Sequence, residues 1–176
     1  MSAESISNAL FLIAAVICAA VLIVAIFPAI YTMTGTFGSA SHAADQNIRT
    51  DFKIVTVTNN GQIVLAWMKN VGTAQISFAD ITRSDAFCGD VGNFARLTYT
   101  ANNPNNPYTA TINPPSNGYW SAILSDLNNN NYWDPGETLE VIGQTSATQP
   151  ISGTTDVYFQ FVLPNGISRS TQFAPS

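Results

Sequence analysis

The chain opens on an unbroken apolar stretch. Residues 9–31 read ALFLIAAVICAAVLIVAIFPAIY. A bilayer core about 30 Å thick needs roughly 20 apolar residues at helical rise, so this stretch predicts one transmembrane helix with some length to spare for tilt. The residues before it carry no Lys or Arg. The apolar run is also longer than the roughly 7–15 residues of a secretory signal, so an uncleaved anchor is expected. Ser2 or Ser5 can cap its start, and Glu4 suits the positive end of the helix dipole. Pro28 falls near the end of the stretch, where a kink costs least.

Two changes of pattern follow. Residues 32–44, TMTGTFGSASHAA, are small and polar. With Gly35 and Gly38 they predict a loose helical continuation or a hinge, and residues 45–50 can extend it as a stalk. From residue 51 the period drops to two. In FKIVTVT one face takes Phe52, Ile54 and Thr56, and the other takes Lys53, Val55 and Val57. Asn59-Asn60-Gly61 is a hairpin signal, because Asn and Gly tolerate positive φ. QIVLAWMKN returns and Asn70-Val71-Gly72 breaks it. The further strands are AQISFADITR, ARLTYT, GYWSAILSDL, TLEVIG, TDVYFQFVL and GISRSTQFA, with Pro/Asn/Gly loops at residues 102–107 and 113–118. No second helical period is visible. The predicted fold is an N-terminal transmembrane α-helix followed by an all-β domain. That domain is an antiparallel β-sandwich of about eight strands, immunoglobulin-like in spacing. The expected segments are the helix over residues 1–35, a juxtamembrane stalk over 36–50 and an extracytoplasmic sandwich over 51–176.

Charge narrows the class of function. Only 10% of residues are charged, and the net charge is −5. A nucleic-acid partner is excluded, since it demands a basic face. The sparse charge also argues against charge-rich disorder. The acidic, Asn/Thr/Ser-rich C-terminal region suits export. The expected topology is therefore a single pass in the cell membrane, with a short cytoplasmic N-terminus and the sandwich outside. Cys18 sits within the apolar block and Cys88 far downstream, so no disulfide between them is expected. Ala14 and Cys18 share one side of the helix, and Ala15, Ala19 and Ala20 another. Small residues so placed allow close helix–helix approach and self-assembly through the helix, against the plain alternative that Ala is common in membrane helices.

No catalytic constellation emerges. The one histidine, His42, lies in the stalk, where it reads as solvated, and no carboxylate pair stands in a context that would shift a pKa. An enzyme is not expected. One motif is specific: residues 126–137 read DLNNNNYWDPGE. Calcium loops of EF-hand type present oxygens at positions 1, 3, 5, 7, 9 and 12. Here those are Asp126, Asn128, Asn130, the Tyr132 carbonyl, Asp134 and Glu137. Position 6, usually Gly, is Asn131, the next most tolerant of positive φ. The flanks read as strands, so the competing reading is an Asn-rich turn between two strands. With few anionic ligands, a structural Ca2+ of weak affinity is expected, Kd about 10⁻⁴ to 10⁻³ M. Trp67 and Trp120 are mid-strand and are expected in the core. Tyr132 and Trp133 ride on the loop, where aromatics can also stack on sugars.

The opening MSAESISNALFLIAAVICAA, the strand IVLAWMKNVGTAQI with its Lys69-Asn70-Val71-Gly72, and the helix-plus-sandwich plan together resemble the family of archaellum accessory proteins FlaG (ArlG). These are relatives of FlaF (ArlF) and of archaeal type IV pilin-like filament proteins. The resemblance implies an archaellin-like sandwich and a non-enzymatic motility component held in the membrane beneath the surface layer. It implies a stator role, a FlaF-like partner, contact with surface-layer protein and a homo-oligomer through the helix. Two other functions compete. One is a filament-forming archaellin or pilin-like subunit, which usually carries a basic leader. The other is a membrane-tethered module that binds surface-layer protein or glycan.

Overall fold

The computed structural model describes residues 3–101 and 115–176. Ser2, the loop at residues 102–107 and the first two residues of the 113–118 loop lie outside the described residues. The chain forms two compact units, Met1–Asp45 and Gln46–Ser176.

The first unit is the greater part of α1 (Ala3–Arg49), a 47-residue helix with Glu4 in its first turn and no buried residue. It is long and apolar enough to cross a membrane. At helical rise it spans about 70 Å, more than twice a bilayer core. Neither Gly35 nor Gly38 interrupts it, so the polar stretch is regular helix rather than a break. Pro28 therefore lies inside the helix and not at its end. The hydroxyls of Thr32, Thr34, Thr36 and Ser39 donate to carbonyls three or four residues back. Those local bonds satisfy the side chains of a sequence that would otherwise favour turns.

The second unit is built of β1 (Phe52–Asn60), β2 (Ile63–Asn70), β3 (Ile76–Ser77), α2 (Phe78–Thr82), β4 (Asp85–Asp90), β5 (Asn93–Tyr99), β6 (Tyr119–Leu124), β7 (Tyr132–Trp133), β8 (Thr138–Gln144), β9 (Val157–Val162) and β10 (Ser168–Phe173). Eight strands join in the order β1-β2-β8-β6-β5-β4-β9-β10, and β3 pairs with β7 alone. The sheet folds over on itself as a sandwich. Phe161 of β9 meets both Phe52 of β1 and Trp120 of β6 edge-on, with centroids 5.9 and 5.4 Å apart. Its two free edges are tied as well. Arg169 of β10 pairs with Asp51 beside β1, and the Ser176 N–H donates to Asn59 Oδ1 at 2.8 Å.

Several local readings are corrected. AQISFADITR is not one strand. Ser77 caps α2, its Oγ accepting the Asp80 N–H at 3.1 Å while donating to the Asp80 carboxylate at 2.7 Å. That reciprocal cap turns the chain helical after two strand residues. DAFCGD pairs on both sides as β4, although its small and acidic residues hide the strand pattern. The β5–β6 pairing is parallel, so the sheet is not wholly antiparallel. A bulge between Ile54 and Thr56 shifts the register of β1. Phe52, Ile54 and Val57 consequently reach the core together, across the alternation read from the sequence. Trp120 is fully buried in the core as expected, but Trp67 is not a core residue. In β2 the inward places fall to Val64, Ala66 and Met68, which leaves Trp67 on the opposite face.

Cys18 and Cys88 are both free. Burial pushes the Cys88 thiol up to about 12, with the Asp90 charge adding to it and the Gly89 N–H opposing, so it behaves as an inert core residue.

On that opposite face Glu140 of β8 lies between Trp67 of β2 and Ile123 of β6. Its Oε1 is buried and unbonded among the described residues. Burial raises the carboxyl above its ordinary value, although a hydrogen bond from Trp67 opposes the rise. A raised folded pKa contributes stability below the unfolded value of 4.5, and that stability is lost as pH climbs through the folded one. Glu140→Gln should therefore stabilise the fold near neutral pH, by a small amount because solvent partly screens the carboxyl. The gain should vanish at about pH 4, a pattern that urea unfolding at the two pH values checks.

Candidate functional site: the helix junction and the acidic loop

The Lys-Asn-x-Gly end of β2 is where the last turn of α1, which belongs to the second unit, is fastened. The Val71 and Gly72 N–H groups donate to the Asp51 carbonyl at 3.1 and 2.9 Å, and those of Thr73 and Ala74 donate to the Arg49 carbonyl at 2.8 and 3.0 Å. Helix C-termini leave carbonyls without intrahelical partners, and the Arg49 carbonyl finds its donors in this loop. Gly72 is required by space. A Cβ there would stand 2.4 Å from the Arg49 oxygen and 2.5 Å from the Asp51 nitrogen, both backbone atoms.

Asn70 holds the loop in shape. It is 1% exposed. Its Oδ1 accepts the Gly72 N–H at 3.0 Å, and its Nδ2 donates to the Ala74 carbonyl at 3.0 Å and the Trp133 carbonyl at 2.8 Å. Its backbone accepts from Gly136 at 2.8 Å and donates to the Glu137 carbonyl at 3.1 Å. One amide thus joins the helix junction to the 126–137 loop. Lys69, the first residue of the motif, is exposed.

That loop is built from its own polar side chains. Asn129 and Asn131 adopt φ of 56° and 65°, so Asn does fill position 6 in the left-handed conformation. Asp126 accepts from the N–H groups of Asn128, Asn130 and Asn131 at 3.2, 3.3 and 2.9 Å. Desolvation pushes its carboxyl up, but the backbone N–H groups of residues 128–131 outweigh it and hold the group below its ordinary value. The side-chain amides of Asn128 and Asn130 converge on Asp134 Oδ2 at 2.8 and 2.9 Å. Asp134 Oδ1 is buried without a partner among the described residues. Glu137, 8% exposed, spans the loop, taking the Leu127 N–H on Oε1 and the Asp134 N–H on Oε2, each at 3.0 Å. Trp133 is wholly buried beneath it, its Nε1 donating to the Glu137 carbonyl at 2.9 Å. Tyr132 is 42% exposed, and its backbone pairs with Ser77 between β7 and β3.

Of the candidate ligands, the structure therefore brings Asn128, Asn130 and Asp134 together and turns Asp126 and Glu137 onto backbone N–H groups. Among the described residues no three His, Cys, Asp or Glu side chains gather as a metal cluster. Even so, each candidate position carries an oxygen, although Asn128 and Asn130 turn their Nδ2 atoms to Asp134, and Asp134 Oδ1 is buried with nothing to bind; that chemistry fits a calcium ion. The helix candidates Ala14, Ala15, Cys18, Ala19 and Ala20 are exposed along α1. Beyond the apolar stretch, Met33, Phe37, Ala40 and Ala44 recur at intervals of four and three residues, with Met33 and Phe37 at 59% and 62% exposure. The sequence reading missed the structural task of Asn70. The signal available was a polar residue closing an otherwise inward-facing strand position, two residues before a glycine.

The chain matches the family model for archaeal-type flagellin over residues 2–173. No curated protein matches it. Among solved structures, it is similar to the archaellum periplasmic stator protein FlaG from Sulfolobus acidocaldarius, at 24% identity and TM-score 0.50, over 70% of this chain and 99% of that one. It is also similar to a chain of the stator protein complex of FlaF and FlaG from the same organism, at 25% identity and TM-score 0.50, over 69% and 87%. The archaeal flagellum of Methanospirillum hungatei strain JF1 matches at 14% identity and TM-score 0.64, over 97% and 93%.

Gly72→Ala should destabilise the second unit by about 1–3 kcal/mol, because rigid backbone meets the added methyl. Asn70→Ala should cost about as much, through the carbonyls it leaves unpaired. Thermal denaturation followed by tryptophan fluorescence checks both, with the exposed Asn60→Ala expected to stay within about 0.5 kcal/mol of the parent.

Proposed function

Because the chain belongs to the archaeal-type flagellin family, we propose that it is a structural, non-enzymatic component of the archaellum, crossing the cell membrane with α1 and holding its β unit outside as a static anchor. The junction is the observation that carries this reading. Residues 49–51 are fixed by four backbone donors from the 71–74 loop, so force reaching the chain at its last helical turn enters a packed sandwich without passing through a slack linker. The likeness of the β unit to the FlaG stator supports the assignment, and the solved FlaF–FlaG complex supports a FlaF-like partner. Surface-layer protein is the fixed body against which such an anchor works. Copies associate through α1, using the small residues Ala14, Ala15, Cys18, Ala19 and Ala20 where the helix crosses the bilayer, and the Met33, Phe37, Ala40, Ala44 stripe beyond it.

A second reading, the filament subunit itself, is favoured by one observation: the Methanospirillum flagellum covers 97% of this chain, long helix included. Shearing filaments from cells and locating the chain by mass spectrometry separates the two. An anchor remains with the envelope, and its loss leaves cells unable to swim although filaments are made. A filament subunit dominates the sheared fraction, and that result would overturn the anchor reading.

The 126–137 loop, in the same proposal, holds a structural Ca2+ through Asp126, Asn128, Asn130, the Tyr132 carbonyl, Asp134 and Glu137. The donor chemistry and the unbonded Asp134 oxygen support it. Calcium at millimolar concentration should raise the melting temperature, and Glu137→Gln, whatever its own stability, should abolish the rise. No calcium-dependent shift in the parent chain would refute the site.

A further inference from the structure

Beside the junction the β unit opens a cavity of about 410 Å3, within the range of small-ligand sites. Its apolar lining is the exposed ring of Pro164 and the methyl of Ala74, with Ile76 and Leu163, 6% and 3% exposed, packed behind them. Its walls carry the amides of Gln46, Gln75 and Asn165 and the carboxylate of Asp80. The side chains of Gln46 and Gln75 make no hydrogen bond among the described residues, Asn165 uses only Oδ1, on the Ile167 N–H, and Asp80 is engaged on both oxygens, Oδ2 accepting from Ser77 and Oδ1 lying 3.8 Å from Arg83 Nη1. The cavity thus offers several amide donors and acceptors above a patch of C–H surface.

That combination selects by charge and by shape. Among the described residues no Lys or Arg lines the cavity, and its one carboxylate, Asp80, is already paired with Arg83, which disfavours phosphate, sulfate and acidic ligands. Neutral amides match hydroxyl and acetamido groups, which donate and accept at once. A pyranose ring has such groups around its rim and an apolar C–H face. We propose that this cavity binds a neutral pyranose residue of a glycan, its C–H face on Pro164 and Ala74 and its hydroxyls on Gln46, Gln75 and Asn165. Gln46 lies in the last turn of α1, so the bound sugar braces the junction from outside. The proposal does not depend on whether the chain is anchor or filament.

Saturation-transfer NMR tests it on the full chain in a detergent without a sugar headgroup. The probes are the methyl glycosides of glucose, galactose, mannose and N-acetylglucosamine, whose blocked anomeric position mimics a glycan-linked residue, and the free sugars form the second arm. At least one glycoside should bind saturably below roughly tens of millimolar. Ala74→Trp, which fills the cavity, should remove the signal. Gln75→Ala, at an exposed position, should weaken binding on the order of tenfold. Binding of free sugars alone would overturn the glycan assignment. Absence of saturable binding by any glycoside, or binding that survives both variants, would overturn the site.

Discussion

The buried amide of Asn70 is the constraint on which both halves of the site depend. A side chain 1% exposed and polar is tolerated only when its donors and acceptors are satisfied. Here each bond that satisfies it also fixes a different segment. The bond to Gly72 shapes the loop that receives the Arg49 and Asp51 carbonyls, and the bond to Trp133 holds the far side of the 126–137 loop. Removing the amide would therefore unfasten two structures at once, which makes the short Lys-Asn-x-Gly sequence informative beyond its length. Gly72 is the steric half of the same device: the loop can approach the end of α1 only because no Cβ stands between them.

The 126–137 loop is shaped by its own polar side chains. Its backbone is held by Asx-type bonds from Asp126, Asn128 and Asn130, and Glu137 closes it across Leu127 and Asp134. Those bonds fix the backbone of the loop from residue 126 to residue 137. They also set the pH dependence of the loop. The depressed Asp126 carboxyl contributes stability that is present above its ordinary value of 3.8 and is lost as pH falls through its lower folded value, so acid loosens the loop from its first residue.

Much of this plan was legible along the chain, because apolar length and period-two alternation are strong signals. The elements that escaped did so for physical reasons. A bulge at the start of β1 exchanges inside and outside for everything after it, and no residue type announces it. Trp67 looks like core by size, yet parity places it with Glu140 on the other face. The strand β4 is buried by its partners on both sides rather than by its own hydrophobicity. The turn at residues 126–137 could be read because its Asn and Asp residues announce positive φ, as Asn129 and Asn131 show, whereas the task of Asn70 could not, since it is defined by Trp133, distant in sequence.

The helix before the junction is built to the opposite principle. Pro28 supplies no N–H, so the Val24 carbonyl lacks its usual donor four residues on. Immediately beyond it, Thr32, Thr34, Thr36 and Ser39 bond back to main-chain carbonyls, a pattern that slightly destabilises and bends helices, and Gly35 and Gly38 add backbone freedom. The 28–39 segment thus lacks one main-chain hydrogen bond and carries two glycines, whereas the junction has four backbone donors and a buried amide. If the chain works as the proposed anchor, bending would fall on a helix that can recover its own hydrogen bonds. The contacts between Arg49, Asp51 and Gly72 have no such reserve and are held fixed.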